Sequence, residues 1–511
     1  MTMWSLGERY GRLLTSPWYR SGVSIVVGAV PALAFPEASL WWLAWVGLVP
    51  WLLLIRSAHT GRRAALDGWL GGAGFLLAVH HWLLPSLHVF ILVLAALLGM
   101  LWAPWGLLVH RLLAGSAGPG RVAAALVVVP SGWLLVELVR SWEYLGGPWG
   151  LLGASQWQVH PVLRVASVGG VWLVGFLLVA VNTALAALVS APQGRAVAVA
   201  AVVTCAAAVI GIWAGGPAPQ FAGTVRVALV QPGIIDGTDS VQRRFDREEK
   251  LTRGLAGRRV DLVVWGESSV GQDLGSRPDL RDRLAALART VGADLLVNVD
   301  ARRSDRPGIF KSSVLIGPDG PTGDRYDKTR LVPFGEYIPA RSVLGWATSV
   351  GKAAAEDRRR GDGPVLMRLP DTRGGGLRIG PLICFESAFP DMSRRLARDG
   401  AQLLVVQSST STFQDTWAPG QHASLAALRA AETWRPVVHA TLTGVSTVMD
   451  PRGRVVGRAL DTDRSTAVVY DVPLARGTSP YARTGDWTLF GAMAIVALFC
   501  ASEVSRLAIR K

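Results

Sequence analysis

Long apolar runs fill most of the first 215 positions of the chain, and one more run lies near its end. A helix that crosses the ~30 Å hydrocarbon core of a bilayer needs roughly 20 mostly apolar residues. Runs that approach this length predict spans near positions 22–36, 39–55, 67–86, 89–109, 122–138, 166–190, 196–214 and 485–505. The pattern therefore predicts a membrane protein with about eight transmembrane helices.

Between the seventh and eighth runs, the pattern changes to short apolar stretches that alternate with amphipathic ones. It predicts strands at 225–231, 260–265, 294–299, 377–385 and 401–407, a hairpin over 311–327, helices at 239–257, 277–291 and 420–433, and a last hairpin through the DPRG sequence at 450–453. Buried strands that alternate with helices are typical of a layered α/β fold rather than a barrel of hairpins. We therefore expect an α/β domain here.

These two patterns divide the chain into parts. We predict a transmembrane bundle of about seven helices over 1–214, a Gly/Pro-rich linker over 215–224, the α/β domain over 225–480, a C-terminal transmembrane helix over 485–505 and a tail over 506–511. Arginines concentrate in alternate short loops, and such loops stay in the cytoplasm. We therefore expect a multi-pass protein of the cytoplasmic (inner) membrane, with both termini cytoplasmic and the α/β domain on the extracytoplasmic face.

Composition and charge agree with a membrane location. The chain is 50% hydrophobic, contains 21 tryptophans and has a formal net charge of +15 at pH 7. Because the basic residues are spread over membrane-flanking loops and form no basic-aromatic cluster, we expect membrane lipid rather than nucleic acid as the partner. We predict no cofactor and no metal site.

Three chemically competent side chains each follow a strand-like run: Glu267 in VVWGESS, Lys328 in YDKTRLVPFGEYIP and Cys384 in PLICFES. Open α/β sheets usually build their sites at such strand ends. Cys384 is the only one of three cysteines outside a long apolar run, and only five of the 52 Lys and Arg residues are lysines. The alternatives are a solvated Glu267, a buried apolar Cys384, and an ordinary salt bridge from Lys328 to Asp327 or Glu336.

Taken together, these three residue types suit nucleophilic acyl chemistry. A cysteine attacks as the thiolate, so it needs a nearby base. We expect burial to raise the pKa of Glu267, so that its carboxylate can accept the thiol proton of Cys384. The ammonium of Lys328 would then stabilise the oxyanion of a tetrahedral intermediate, with the backbone N–H of Phe385 as a second donor.

The sequence around these residues resembles a known superfamily. A Glu after a strand, the run KTRLVPFGEYIP and the run ICFE resemble the Glu-Lys-Cys triad motifs of the nitrilase superfamily, which has an αββα sandwich fold. With the eight predicted spans, nearly the whole chain resembles the apolipoprotein N-acyltransferases, the membrane enzymes that complete bacterial lipoprotein maturation. The resemblance implies ping-pong acyl transfer from a membrane phospholipid, through a cysteine thioester, to the α-amine of a diacylglyceryl-modified apolipoprotein.

The resemblance also implies roles for individual residues. It assigns the triad roles of base, oxyanion stabiliser and nucleophile, in that order, to Glu267, Lys328 and Cys384. Glu336 matches an acidic residue of the PFGEY motif, expected to orient the lysine or the base. Phe385 and Glu386 match the aromatic-acidic pair that follows the nucleophile.

Other positions are predicted to face lipid, or depart from the family pattern. Trp149 in GGPWG resembles a tryptophan at the membrane face of the site, the alternative being one more interfacial aromatic. Leu344 and Trp346 lie in a segment, 338–363, that we interpret as a lid entering the bilayer, the alternative being an exposed loop. The departures are Gly266 where proline is common, Phe385 where tyrosine is common, and the run STSTF at 409–413.

Two alternative functions stay open. A membrane-anchored amidohydrolase would use the same triad with water as the second nucleophile. A transporter or receptor would use the outer domain only to bind a ligand. The predicted spans carry almost no central charge that would mark a transport path, and Glu137 is the nearest candidate, so the sequence disfavours transport.

Overall fold

The computed structural model describes residues 16–345, 355–370 and 376–509. The part before the α/β domain is helical, as the long apolar runs predict. Its helices are α1 (Pro17–Ala29), α2 (Leu43–Val46), α3 (Val49–Arg56), α4 (Gly61–Val79), α5 (Leu84–Leu87), α6 (Phe90–Gly99), α7 (Trp102–Leu113), α8 (Pro119–Arg140), α9 (His160–Leu163), α10 (Ala166–Ser190) and α11 (Arg195–Gly215).

Several of these helices are long and apolar enough to cross a membrane. Over the described residues, α8, α10, α11 and a C-terminal helix are continuous spans by length and composition, and α4 with residues 81–87 and α6 with α7 form two bent pairs at 63° and 41°. The first two predicted spans correspond to shorter helices, α1 and then α2 with α3. The chain is thus an integral membrane protein by its helices, and the count of eight spans stays a prediction.

The α/β domain is built from alternating strands and helices. Its elements are β1 (Gln220–Gln231), α12 (Ser240–Arg253), β2 (Leu262–Trp265), α13 (Pro278–Val291), β3 (Asp294–Arg302), β4 (Ile309–Gly317), β5 (Gly320–Asp327), α14 (Arg341–Leu344), β6 (Met367–Arg368), β7 (Arg378–Ile383), α15 (Pro390–Asp399), β8 (Leu403–Ser408), α16 (Ala418–Thr433), β9 (Val437–Thr441), β10 (Thr447–Met449), β11 (Thr466–Arg476) and α17 (Pro480–Thr484), followed by the C-terminal helix α18 (Trp487–Ile509).

The strands form two sheets that pack face to face. One sheet has the order β11-β1-β2-β3-β4-β5 and the other β10-β9-β8-β7-β6. Apolar side chains on the inner faces, such as Leu229 and Val264 opposite Ile383 and Val405, form one buried cluster. Helices α12 and α13 cover the outer face of the first sheet in a second cluster. This arrangement confirms the predicted layered α/β sandwich.

Two details of the strand prediction change. Strand β1 begins at Gln220, which pairs with Arg476 of β11, so the strand reaches into the predicted linker 215–224. The predicted hairpin through DPRG is reduced to two isolated antiparallel bridges, Met449 with Val455 and Ser446 with Leu460. The chain then crosses to the other sheet, where β11 pairs with β1, because the exposed edge of β1 offers a longer ladder.

The second helical layer of the sandwich rests on the membrane bundle. Apolar residues of α15 and α16, such as Leu396 and Leu428, belong to the same buried cluster as the bundle core. Helix α10 is kinked at Gly169 and Gly170, and the freed N–H of Val171 donates to the Glu432 carboxylate at 2.8 Å. The carboxyl ends of β7 and β8 therefore lie beside the bundle.

Candidate active site

Cys384 occupies a sharp turn directly after β7. It is the first residue of a short 3₁₀ helix, Cys384–Ala388, and its φ is +50°, a left-handed conformation that is strained for a residue with a side chain. The turn is held because the Ser387 hydroxyl donates to the Cys384 carbonyl at 2.9 Å. The residues just before it are fully buried, while Cys384 is half-buried. The strand thus brings a thiol to the edge of the sheet, where a substrate can reach it.

Glu267 follows β2 and comes to the same edge from the other sheet. Its backbone N–H donates to the carbonyl of Ser408, at the end of β8, at 3.0 Å. The preceding Gly266 leaves no room for a side chain, because a Cβ there would lie 2.1 Å from the backbone nitrogen of Leu442. The departure from proline at this position therefore accompanies a close approach of the two sheets.

Four charged side chains meet next to the thiol, and we refer to Glu267, Lys311, Lys328 and Glu336 as the charge cluster. Glu267 Oε1 lies 2.8 Å from Lys311 Nζ and 3.2 Å from Lys328 Nζ. Glu336 Oε1 lies 2.8 Å from Lys328 Nζ and 3.0 Å from Lys311 Nζ. Each carboxylate thus contacts both ammonium groups. Cys384 lies beside this cluster, and the charges of Glu267, Lys328 and Lys311 all act on the pKa of its thiol.

The cluster determines the protonation of its members. Burial alone would raise the pKa of Glu267, but Lys311 and Lys328 outweigh burial and lower the pKa to about 2. The expectation that burial raises this pKa is therefore wrong, because it left out two ammonium groups in direct contact. Burial and the Glu267 charge raise the pKa of Cys384 to about 12. The resting site holds a carboxylate beside a neutral thiol.

The alternative pairing of Lys328 is only partly correct. Lys328 does contact Glu336, but Asp327 instead pairs with Arg303 at 2.7 Å and with Arg325 at 3.0 Å. The backbone N–H of Lys328 donates to the Lys311 carbonyl at 2.8 Å. The two lysines are therefore held side by side by the β4–β5 ladder.

Glu386 connects the nucleophile turn to the lysine loop. Its Oε2 accepts the N–H of Ile383 at 2.8 Å. Its Oε1 accepts the Tyr326 hydroxyl at 2.7 Å and the N–H groups of Thr329 and Arg330 at 2.7 Å and 3.0 Å. One buried carboxylate thus fixes Cys384 and Lys328 relative to each other.

The bundle contacts the site through the loop after α8. Trp149 is only 8% exposed, so it is not one more interfacial aromatic, and its Nε1 donates to Gln421 Oε1 at 2.7 Å. Its ring lies 5.4 Å from that of His422, whose Nε2 is 3.1 Å from the Cys384 carbonyl oxygen. Phe385 packs against Gly147 in the same loop, where a Cβ would lie 2.7 Å from the Phe385 ring.

Sequence reasoning missed Lys311 and His422. Lys311 had a usable signal, since the scarcity of lysine that drew attention to Lys328 applies equally to it. His422 had none, because a lone histidine in a predicted helix is most often a core residue. In the structure it is buried, and burial lowers its pKa to about 4, so it is neutral near pH 7.

The predicted lid lies partly outside the described residues. Trp346 lies outside the described residues. Leu344 is half-buried and Val343 is exposed. The two described ends of the segment are tied together, because Arg341 and Asp357 form an ion pair at 2.5 Å. A lid that enters the bilayer stays a prediction. Across residues 16–345, 355–370 and 376–509, no group of three or more His, Cys, Asp or Glu side chains could hold a metal ion.

Two family models match this chain, and several solved structures are similar to about half of it. Residues 27–184 match the family model of the apolipoprotein N-acyltransferase N-terminal domain, and residues 226–479 match that of the carbon-nitrogen hydrolases. Among solved structures, an amidase of the nitrilase superfamily from Nesterenkonia AN1 is similar over 52% of this chain and 96% of its own, at 18% identity and a TM-score of 0.38. A CN-hydrolase superfamily protein from Xanthomonas campestris covers 49% of this chain and 91% of its own, at 20% identity and a TM-score of 0.38.

Curated relatives match both parts of the chain at once. The apolipoprotein N-acyltransferase of Azotobacter vinelandii is 31% identical over 512 residues, which cover 94% of each chain. That of Geobacter metallireducens is 29% identical over 93% of this chain and 94% of its own, and that of Pseudomonas aeruginosa is 29% identical over 94% and 95%. The chain belongs to the apolipoprotein N-acyltransferase family.

Proposed function

We propose that this protein N-acylates lipoproteins, with Cys384 as nucleophile, Glu267 as general base and Lys328 as oxyanion stabiliser. Membership of the family supports the overall reaction. One observation carries the assignment of residues: the half-buried thiol at the strained turn lies beside a carboxylate, Glu267, that contacts Lys328 at 3.2 Å. This is the arrangement that an activated cysteine nucleophile needs.

The first step forms a thioester. Glu267 takes the Sγ proton of Cys384 as Sγ attacks an ester carbonyl of a membrane phospholipid. Lys328, with the N–H of Phe385, stabilises the tetrahedral oxyanion. The C–O bond then breaks, Glu267 returns its proton to the departing oxygen, and lysophospholipid leaves.

The second step transfers the acyl group. The free α-amine of an N-terminal diacylglyceryl-cysteine attacks the thioester carbonyl, and Glu267 takes one proton from the amine. The C–S bond breaks, and that proton returns to Sγ of Cys384. An amide forms and the resting thiol is regenerated, so the two half-reactions are independent and the kinetics are ping-pong.

The location of the site suits two lipid substrates. The helical layer that follows the Cys384 turn packs on the membrane bundle, and Trp149 and Phe385 belong to the same buried cluster. A site placed there can open sideways, so that acyl chains stay in the bilayer while the ester reaches the thiol. We propose that this face is the extracytoplasmic side of the inner membrane and that both termini are cytoplasmic.

Initial rates over a matrix of phospholipid and diacylglyceryl-cysteine peptide concentrations test the proposal. Parallel lines in a double-reciprocal plot and acyl-peptide formed in equal amount to lysophospholipid are expected. Lysophospholipid and free fatty acid formed at the same rate with and without peptide would instead support the amidohydrolase-like alternative, in which water is the second nucleophile. Binding of phospholipid with no release of lysophospholipid would support a receptor.

A further inference from the structure

The charge cluster contains one ammonium group more than the proposed mechanism uses. Lys311 projects from β4 and contacts both carboxylates, Glu267 at 2.8 Å and Glu336 at 3.0 Å. Its side chain is only 13% exposed, so its charge is held in a poorly hydrated environment. Burial of a charge is costly unless a partner compensates for it. The burial of a second lysine here therefore indicates a role in the site rather than in solubility.

The net charge around Glu267 depends on Lys311. With both carboxylates ionised and both lysines protonated, the cluster is neutral. The other facing groups do not alter the count: Asp300 on β3 lies 3.4 Å from Arg358 and 3.8 Å from Lys311, the Cys384 thiol is neutral, and His422 on α16 is neutral. Without Lys311, two buried carboxylates would share the single charge of Lys328, and one of them would hold a proton.

We propose that Lys311 is a positioning residue that balances the second buried carboxylate, so that Glu267 rests as an unprotonated base. This proposal rests on the role of Glu267 given above. When Glu267 takes the thiol proton, the cluster changes from neutral to a charge of +1, and this charge compensates the anion on the thiolate or the tetrahedral oxygen. Without Lys311, a proton held by Glu267 would remove the base, and if both carboxylates stayed ionised the same step would bring the cluster only from −1 to neutral and leave that anion uncompensated in a buried site.

Lys328 and Lys311 have different roles in the proposed mechanism. Both stabilise the Cys384 thiolate, and the effect of Lys328 on the Cys384 pKa is the larger. Lys328 is also almost fully buried, with its side chain 1% exposed, against 13% for Lys311. We therefore assign the oxyanion to Lys328, as above, and to Lys311 an action through the two carboxylates that it contacts.

The test is the pH dependence of acylation of Cys384, measured as mass gain in single-turnover experiments with phosphatidylethanolamine in detergent micelles. Over pH 5 to 8 we expect the wild-type rate to show no acid limb. Lys311→Met should introduce one, with an apparent pKa between about 5 and 8 and about a tenfold fall in rate per unit below it. Lys311→Arg should keep the wild-type shape, and Lys250→Met, at an exposed lysine of α12, should match wild type throughout.

A compensating variant separates charge balance from simple damage to the fold. Lys311→Met/Glu336→Gln removes one charge of each sign, so it should lose the new acid limb even if its plateau rate is lower. If Lys311→Met lowered the acylation rate equally at every pH and kept the wild-type pH profile, the proposal would be overturned. An acid limb that persists in the double variant would overturn it too. If Lys311→Met does not fold, the proposal requires the double variant to fold and acylate, and its failure to do so also counts against it. Absence of any acyl adduct in wild type would instead contradict the proposed function itself.

Discussion

Two buried groups of charges, one in the membrane bundle and one in the α/β domain, have opposite roles: one stabilises the fold and the other supports chemistry. In the bundle, Asp67 accepts hydrogen bonds from Arg20 at 2.7 and 2.9 Å, from Arg63 at 2.6 and 2.9 Å, and from Ser24 at 2.9 Å. Both of its oxygens are engaged by protein donors. That group joins α1 to α4 and offers no free position to a substrate.

The charge cluster of the α/β domain is equally buried but less closed. Its carboxylates and ammonium groups balance each other, and Glu267 also lies beside the half-buried thiol of Cys384. A proton can therefore move within the site without a change in its total charge. The comparison indicates that buried ion pairs mark chemistry only when a reactive group is attached to them.

The largest effect should come from removing the base. Glu267→Gln keeps the size of the side chain but cannot accept the Cys384 proton, so acylation of Cys384 should fall by about 10²- to 10⁴-fold. Single-turnover mass measurements give the rate. Thermal unfolding should show a loss of stability as well, because Lys311 and Lys328 then share the single charge of Glu336, so the rate is measured on the folded fraction. An unchanged acylation rate in that fraction would remove Glu267 from the role of base.

The matching change in the bundle should affect stability instead. Asp67→Asn leaves Arg20 and Arg63 without a counter-charge, and breaking such a buried pair costs about 3 to 5 kcal/mol. Unfolding in detergent should occur at lower temperature or denaturant concentration. The fraction that remains folded should acylate Cys384 at the wild-type rate; a large rate loss in that fraction would contradict the contrast between the two regions.

The free energy of unfolding should depend on pH through His422, a buried histidine beside the site. His422 has its pKa lowered by burial from 6.5 to about 4, so the unfolded chain binds more protons than the folded one between these values. Stability is therefore fully present above pH 6.5 and falls as the pH drops towards 4, by up to about 3 kcal/mol. Denaturant unfolding at several pH values measures this, and His422→Gln should flatten the curve in that window. If the stability of His422→Gln depended on pH as strongly as that of wild type, the effect would come from other groups, such as His439.

The smallest effect should come from the contact between bundle and site. Trp149→Phe removes the Nε1 hydrogen bond to Gln421 but keeps an aromatic ring beside His422, so it should cost about 1 kcal/mol. We expect acyl transfer to fall only a few-fold, measured as acyl-peptide formed. Trp487→Phe, at an exposed tryptophan of α18, is the matched control; equal effects of both changes would mean that Trp149 does not support the site.

The sequence was most informative where local pattern decides the structure. Alternating apolar runs predicted the sandwich strands, and three strand ends predicted Glu267, Lys328 and Cys384, which the structure brings together. The pKa of Glu267 could not be predicted, because it depends on two lysines that lie 44 and 61 positions away in the chain. Trp149 was also undecided, since its burial depends on how the bundle packs against α16.

The proposed mechanism depends on acylation of Cys384. The most direct measurement of this step is the intact mass of the purified protein after incubation with phospholipid alone. We expect the mass of one acyl chain to appear on wild-type protein, to map to the peptide that contains Cys384, and to be absent from Cys384→Ala. Addition of a diacylglyceryl-cysteine peptide should remove it faster than water does. No adduct with any phospholipid donor, or an adduct of the same size on Cys384→Ala, would contradict the account.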